Sequence, residues 1–300
     1  MSDKLDLLVF GDTAIDYFYE VDAFPKPNTA SEIRKSRRFY GGMGANTAVV
    51  AKALGLSVGL VSVIGTDAED YMKYLSGMGI ELHLKGVFGD TTKSMFFKNN
   101  GDHISFFYKG VTEKLDELEP GETFEKELIK RASVVYLGRT YLNLQKKVVK
   151  SCRSKLVVYN PGYGVYDFKN IPQTFKEVLA RTNVLIVNQH ELAHLKSIGF
   201  KIGSVNGPKT TIVTKGSKGC SVYSKTMEVD IGCYKTSVVD ASGAGDAFNA
   251  GFIAGNVRGL DVYESVKLGN AAASFIVEAW GCQTNLPAWD KVNERMRGIR

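Results

Sequence analysis

The chain has 300 residues, 44% of them hydrophobic, enough for one large core with at most a small appendage. Its 38 basic and 32 acidic residues give a net charge of +6, a modest excess that suits attraction of phosphorylated small molecules. No run of about 18 apolar residues occurs, which excludes a helical membrane span, and Cys152, Cys220, Cys233 and Cys282 are scattered without a CxxC pair, which points to a reduced, cytoplasmic compartment.

The first residues, Met-Ser-Asp-Lys-Leu-Asp, carry acids where a secretory signal would carry a basic segment, and they lead straight into a strand, Leu5–Phe10. Strand-like segments at 17–21 and 33–40 follow with no helix between them. The second holds the densest basic run, Arg34-Lys35-Ser36-Arg37-Arg38, which reads as a solvated face rather than a nucleic-acid patch. Next come a helix at 45–54, a strand at 58–64 and a helix at 68–78. Segments 91–98 and 103–108 are β-rich and joined by Asn99-Asn-Gly-Asp102, which contains the Asn-Gly hairpin signal. Apolar or β-branched runs at 133–137, 155–159, 184–187 and Thr210–Thr214 alternate with helical stretches, as strands buried on both faces of a parallel sheet do. The last hundred residues are mainly helical, at Ala244–Val257, 262–279 and 288–297. The pattern predicts an α/β layered fold in a single domain, residues 1–300, with a small antiparallel β lid built from insertions at about 13–42 and 87–110.

Three glycine-bearing segments sit where chemistry would. Gly11-Asp-Thr-Ala-Ile-Asp16 follows the first strand, so Asp12 and Asp16 point beyond its carboxyl end, where open sheets bind ligands. A carboxylate there accepts two vicinal sugar hydroxyls, although an isolated Asp after a strand is usually a turn residue. Tyr40-Gly-Gly-Met-Gly-Ala-Asn46 opens the helix at 45–54, and its glycines let a polyhydroxylated ligand lie against the backbone near Gly42 and Asn46. It does not complete GxGxxG, and no GxxxxGK[ST] occurs, so neither a dinucleotide fingerprint nor a P-loop is present. The most informative stretch is Asp240-Ala-Ser-Gly-Ala-Gly-Asp246. Small residues at Gly243, Ala244 and Gly245 bring backbone N–H groups close to an anion at a helix N-terminus, and Asp246 stands beside it as a candidate base for an attacking hydroxyl.

Gly41-Gly-Met-Gly-Ala-Asn46-Thr-Ala48, with Gly55 and Gly65, resembles the first signature of the ribokinase-like (PfkB-type) kinases. Asp240 to Asp246 with Ala250-Gly251 resembles the second, Asn188-Gln-His-Glu191 their NxxE motif, and Thr214-Lys-Gly-Ser-Lys-Gly219 their nucleotide-binding turn. These occur in the family's order across nearly the whole chain. The resemblance implies a ribokinase-like three-layer fold with a mainly parallel central sheet, and an ATP- and Mg²⁺-dependent phosphotransfer. Asp246 would be the general base, and Gly243, Ala244 and Gly245 the anion hole. Asn188 and Glu191 would hold Mg²⁺, mostly through water. Thr214, Gly216 and Gly219 would line the ATP site, with Asn270 beside them, and Asp12, Asp16, Gly42 and Asn46 would grip the acceptor. Ala241 departs from the family's usual Thr, Pro, Ser or Val beside a monovalent-cation loop, which leaves potassium activation open.

The acceptor is less sharply marked. Gly11 to Tyr17, with Pro27-Asn-Thr29 and Tyr40-Gly-Gly, looks most like the archaeal nucleoside kinase branch, whose acceptor is a nucleoside 5′-hydroxyl. The lid carries Phe96, Phe97, Phe106, Phe107 and Tyr108, which either stack on a nucleobase or pack a lid or homodimer interface. Ribokinase or another sugar kinase, such as a 2-keto-3-deoxygluconate kinase, is the alternative, and a nucleoside-binding module without turnover a more distant one. His190-Glu-Leu-Ala-His194 also matches the HExxH zinc motif, but its context is missing. His190 follows directly on a strand, no HxxGxxH extension or later Glu in 210–221 appears, and His83 and His103 make no evident third ligand. Neither a nucleic acid nor a membrane is expected as a partner.

Overall fold

The computed structural model describes residues 4–298 except 100–101, 122–123, 125 and 227. The chain begins β1 (Leu5–Phe10), β2 (Ala14–Val21), β3 (Ile33–Gly41), α1 (Met43–Ala53), β4 (Val58–Gly65), α2 (Glu69–Gly77), β5 (Glu81–Val87), β6 (Thr92–Asn99) and β7 (Asp102–Tyr108). It continues α3 (Lys126–Arg131), β8 (Ala132–Gly138), α4 (Leu142–Ser151), β9 (Leu156–Asn160), α5 (Gln173–Leu179), β10 (Val184–Asn188) and α6 (Gln189–Ser197). The last part is β11 (Thr210–Thr214), β12 (Cys220–Ser224), β13 (Glu228–Ile231), α7 (Ala244–Val257), α8 (Val262–Ile276) and α9 (Trp289–Arg297).

Nine strands form the central sheet in the order β13-β12-β11-β10-β9-β8-β1-β4-β5. Pairings from β11 through to β5 are parallel, and β12 and β13 add an antiparallel edge. Every residue of β4 is buried, which explains its unbroken apolar run. Successive side chains of β1 feed opposite layers. Leu7 and Val9 join a core under α1, α2, α7 and α8, whereas Leu8 and Phe10 join one under α3, α4, α5 and α6. The result is helix, sheet, helix in three layers.

The lid is a separate four-stranded sheet, β3-β2-β6-β7. Its two outer pairs, β2 with β3 and β6 with β7, are antiparallel as expected, and a parallel pairing of β2 with β6 joins them. Asn99 pairs with Asp102, the register a two-residue hairpin loop requires, and the loop residues Asn100 and Gly101 lie outside the described residues.

Three strands, β5, β12 and β13, are absent from the sequence reading. All lie at or beside the sheet edges, where β5 (Glu-Leu-His-Leu-Lys-Gly-Val) is only half-buried and carries charge, so no apolar run announces it. The apolar pair Val238-Val239 is not a strand. Both side chains are exposed, and the segment is held instead by Val239 and Asp240 N–H groups donating to Val277 O (2.8 and 3.2 Å). Register aligns the carboxyl ends of the central strands, with Phe10 beside Leu137, Gly138 beside Asn160 and Asn188 beside Thr214. Asp12 follows β1 there, and Asn188 and Thr214 end β10 and β11 at the same edge.

Candidate active site

Gly243 caps α7 in the left-handed conformation (φ 75°), and a Cβ there would lie 2.7 Å from Cys282 Cβ, so two separate demands select glycine. Gly245 is different. It is exposed, and an added Cβ would meet nothing within 4 Å beyond its chain neighbours and the helix's own backbone, which leaves open space against the first turn of the helix. The Ala244 N–H reaches back to Ala241 O at 3.3 Å, a weak turn bond. Asp246, one residue past the open space, is 8% exposed.

A chain of hydrogen bonds fixes that carboxylate. Asn46 Nδ2 donates to Asp246 Oδ2 at 2.8 Å, Gln283 Nε2 donates to Asn46 Oδ1 and to Tyr71 Oη, both at 2.8 Å, and Tyr71 Oη donates to Gly41 O at 2.8 Å. Burial pushes the Asp246 carboxyl up to about 8; the Asn46 bond opposes this, the charges of Asp12 and Asp16 add to it, and Arg139 offsets part.

Asp12, at the end of β1, is 1% exposed and already engaged: Arg139 Nη1 donates to its Oδ2 at 2.6 Å and Gly44 N to its Oδ1 at 3.3 Å. The approach of α1 to β1 is possible because both contact residues are glycine, a Cβ on Gly11 falling 2.7 Å from Gly44 Cα. Arg139 follows β8 with φ 61° and lies over the Tyr163 ring at 4.3 Å. Asp16, on β2, is 4% exposed, and Cys282 Sγ lies 3.6 Å from its Oδ2. A side chain at Gly41 would collide with the Asp16 carboxylate, and Gly42 turns the chain at φ 96°. Burial raises Asp16 to about 6, against hydrogen bonds from Ser94 and Cys282. Three buried carboxylates thus act on one another, with the Arg139 guanidinium offsetting part of their repulsion.

At the N-terminus of α6, Asn188 and Glu191 form a capping box. Asn188 Oδ1 accepts from the N–H groups of His190 and Glu191 (both 2.9 Å), and Glu191 Oε2 accepts from Asn188 N at 2.9 Å. Burial raises the Glu191 carboxyl above its usual range. The HExxH histidines are occupied otherwise: His190 is exposed, and His194 Nε2 lies 3.2 Å from Phe168 O. Among the described residues no group of three His, Cys, Asp or Glu side chains is placed to hold a metal. Thr214 ends β11, and Gly216 (φ 58°) opens the turn after it with free space where a side chain would be. Gly219 (φ 79°) packs against Ile231 O. Asn270 Nδ2 donates to Gly232 O (2.9 Å), which ties α8 to the loop after β13.

A family model described as pfkB family carbohydrate kinase matches residues 4–289. The chain belongs to that family. It is 38% identical to a nucleoside kinase of Methanocaldococcus jannaschii, over 97% of this chain and 96% of that protein. It is 32% identical to a nucleoside kinase of Methanothermobacter thermautotrophicus, over 96% and 94% of the two chains. The crystal structure of the M. jannaschii nucleoside kinase superposes with a TM-score of 0.86, covering 99% of this chain and all of that one.

In this pfkB kinase the lid strands alternate between two faces. Register places Asp16, Phe18, Ser94, Phe96, Lys98 and Phe107 on one face, toward the pocket. Phe96 stacks on Phe18, and Phe107 stacks on Tyr163, whose ring also carries Arg139. Tyr17, Tyr19, Phe97, Phe106 and Tyr108 share the opposite face, where Phe106 and Tyr108 are about half exposed. Sequence reasoning missed Arg139, Gln283, Tyr71 and Cys282. None lies in a signature, and only the folded chain brings them to Asp12, Asn46 and Asp16.

Proposed function

We propose that this kinase transfers the γ-phosphoryl group of ATP to the 5′-hydroxyl of a nucleoside. The observation that carries the reading is Asp246, buried and held by Asn46, one residue beyond the open, exposed backbone at Gly245. In the reaction Asp246 takes the hydroxyl proton, the oxygen forms a bond to the γ-phosphorus, and the bond to the β–γ bridging oxygen breaks, releasing ADP. Such a step needs in-line positioning and charge neutralisation more than covalent chemistry, and the α7 N-terminus supplies a fixed positive potential. Mg²⁺, when bound, neutralises charge on the triphosphate. Oxygen donors at Asn188 and Glu191 suit it through water, in keeping with a hard cation that retains part of its hydration shell.

In this reading Asp16 and the backbone around Gly42 form the acceptor end, and the Phe96 and Phe107 rings cover a base. Support for a nucleoside over a free sugar comes from this aromatic pocket face and from the likeness to archaeal nucleoside kinases. The outer aromatic face suits a second copy of the chain.

The test is ADP release from ATP and Mg²⁺ with a panel of nucleosides beside ribose, fructose and 2-keto-3-deoxygluconate. Turnover with nucleosides and not with free sugars is expected; turnover with sugars alone would move the acceptor to the sugar class. Within that assay Asp16→Ala should raise KM for the nucleoside by about 10- to 100-fold, the worth of charged hydrogen bonds to two hydroxyls, and leave KM for ATP nearly unchanged. Equal losses for both substrates would remove Asp16 from the acceptor site.

A further inference from the structure

We propose that Lys98 is a positioning residue for phosphoryl transfer: its ammonium, carried by the lid, balances Asp240 and locks the turn that builds the anion hole. The inference rests on the phosphotransfer reading above.

Asp240 is 2% exposed at its side chain and stands at the entry to the Gly243 turn. Both carboxylate oxygens are committed to loops that wall the active site. Oδ1 accepts from Ser242 N (3.2 Å) and Ser242 Oγ (3.0 Å), which shapes the backbone immediately before the Gly243 cap. Oδ2 accepts from Gly281 N (3.2 Å), beside the Cys282 that packs on Gly243 and faces Asp16. A buried carboxylate with only neutral donors is costly, and the positive charge that meets it comes from 142 residues away: Lys98 Nζ, 2.9 Å from Oδ1.

The ammonium is confined as well as paired. It lies 4.3 Å from the centre of the Trp280 ring and 5.0 Å from that of Phe18. Lys98 belongs to β6, on the same face as Phe96, so it reaches Asp240 only when the lid lies over the site. Displacing the lid would leave Asp240 buried and uncompensated, and its charge already acts to raise Asp16. Lid closure and anion-hole assembly are therefore one event. Lys98 and Asp240 also line an open cleft of about 760 Å³ with Glu20, Val239 and Trp280, so a small cation can reach the place of a deleted ammonium.

Cation rescue separates this role from simple packing. At fixed ionic strength, with tetramethylammonium as the inert ion, Lys98→Ala should lose about 30- to 100-fold in kcat while KM for ATP moves less than about threefold. Ammonium or potassium should restore a large part of that kcat and leave the parent enzyme unaffected, and Lys98→Arg should keep most activity. If Lys98→Ala does not fold, Lys98→Met, which keeps the aliphatic contact with Trp280, serves the same comparison. An undiminished kcat, or a loss that no small cation restores, overturns the proposal. A second reading needs no turnover: ammonium should raise the unfolding temperature of Lys98→Ala and not that of the parent chain. An equal response of both overturns the proposal. Should the parent phosphorylate no nucleoside, the acceptor reading fails while this thermal comparison still decides the role of Lys98.

Discussion

Asp246→Asn will bind ATP and nucleoside much as the parent enzyme does and lose turnover by about 10²- to 10⁴-fold, the range a positioned general base contributes. The amide keeps the shape of the carboxyl and can still accept the Asn46 bond, so the loss isolates the proton acceptor. Steady-state kcat and KM for both substrates check it; retained activity would remove Asp246 from the reaction. The same burial sets a pH dependence. With its carboxyl raised to about 8 in the free enzyme, the base is mostly protonated at neutral pH, and kcat/KM should climb as pH rises through that value. Stability moves the other way. A carboxyl raised on folding holds its proton more tightly in the native chain, so its contribution is present below the unfolded carboxylate range and is lost as pH rises toward 8. Asp246→Asn removes that dependence, and its unfolding temperature should exceed the parent's by a margin that widens from pH 5 to pH 8 and then levels. A base built at the cost of stability is what that widening margin would record.

What the sequence discloses here follows from what is local. Glycines at 42, 243 and 245 are required by backbone angles, close contacts or open space within a few residues, so their pattern is readable from the chain itself. Central strands announce themselves because both faces are buried; β5 and β13 do not, because edge positions tolerate charge and partial exposure, and β12 (Cys-Ser-Val-Tyr-Ser) does not, because its serines interrupt any apolar run. Arg139 carries no signal at all. Its meaning is the carboxylate of Asp12, 127 positions earlier, just as Gln283 acquires a role only through Asn46, 237 positions away. The lid shows a third limit. Alternation along β6 and β7 separates Phe96 and Phe107 from Phe97 and Phe106, but which set faces the pocket depends on the pairing of β6 with β2, where Asp16 and Phe18 fix the inner face.

Gly245→Val should separate fold from function more sharply than any substitution in the acceptor pocket. Apart from the chain neighbours and the helix's own backbone, nothing lies within 4 Å of a Cβ at this position, and the backbone is not in the left-handed region, so the helix accepts a side chain without strain. Gly245→Ala should even stabilise the chain, by about 0.5 kcal/mol, because glycine in a helix forfeits conformational entropy. In the proposed reaction, this open space is nevertheless where the transferring phosphoryl group would approach the backbone amides. A methyl group narrows it and a valine side chain fills it, keeping the anion from the N–H groups as surely as deleting a donor would. The expected loss in kcat/KM for ATP is about 10²- to 10³-fold for Gly245→Val and smaller for Gly245→Ala, the scale of a lost oxyanion donor. Gly77→Ala is the control. It lies exposed in the last turn of α2, with the same absence of neighbours, and should give the stability gain with no loss of turnover. Thermal unfolding and initial rates on the three variants decide the point. Unchanged kcat/KM in Gly245→Val would place the phosphoryl group away from the α7 N-terminus, and the anion hole would have to be sought elsewhere.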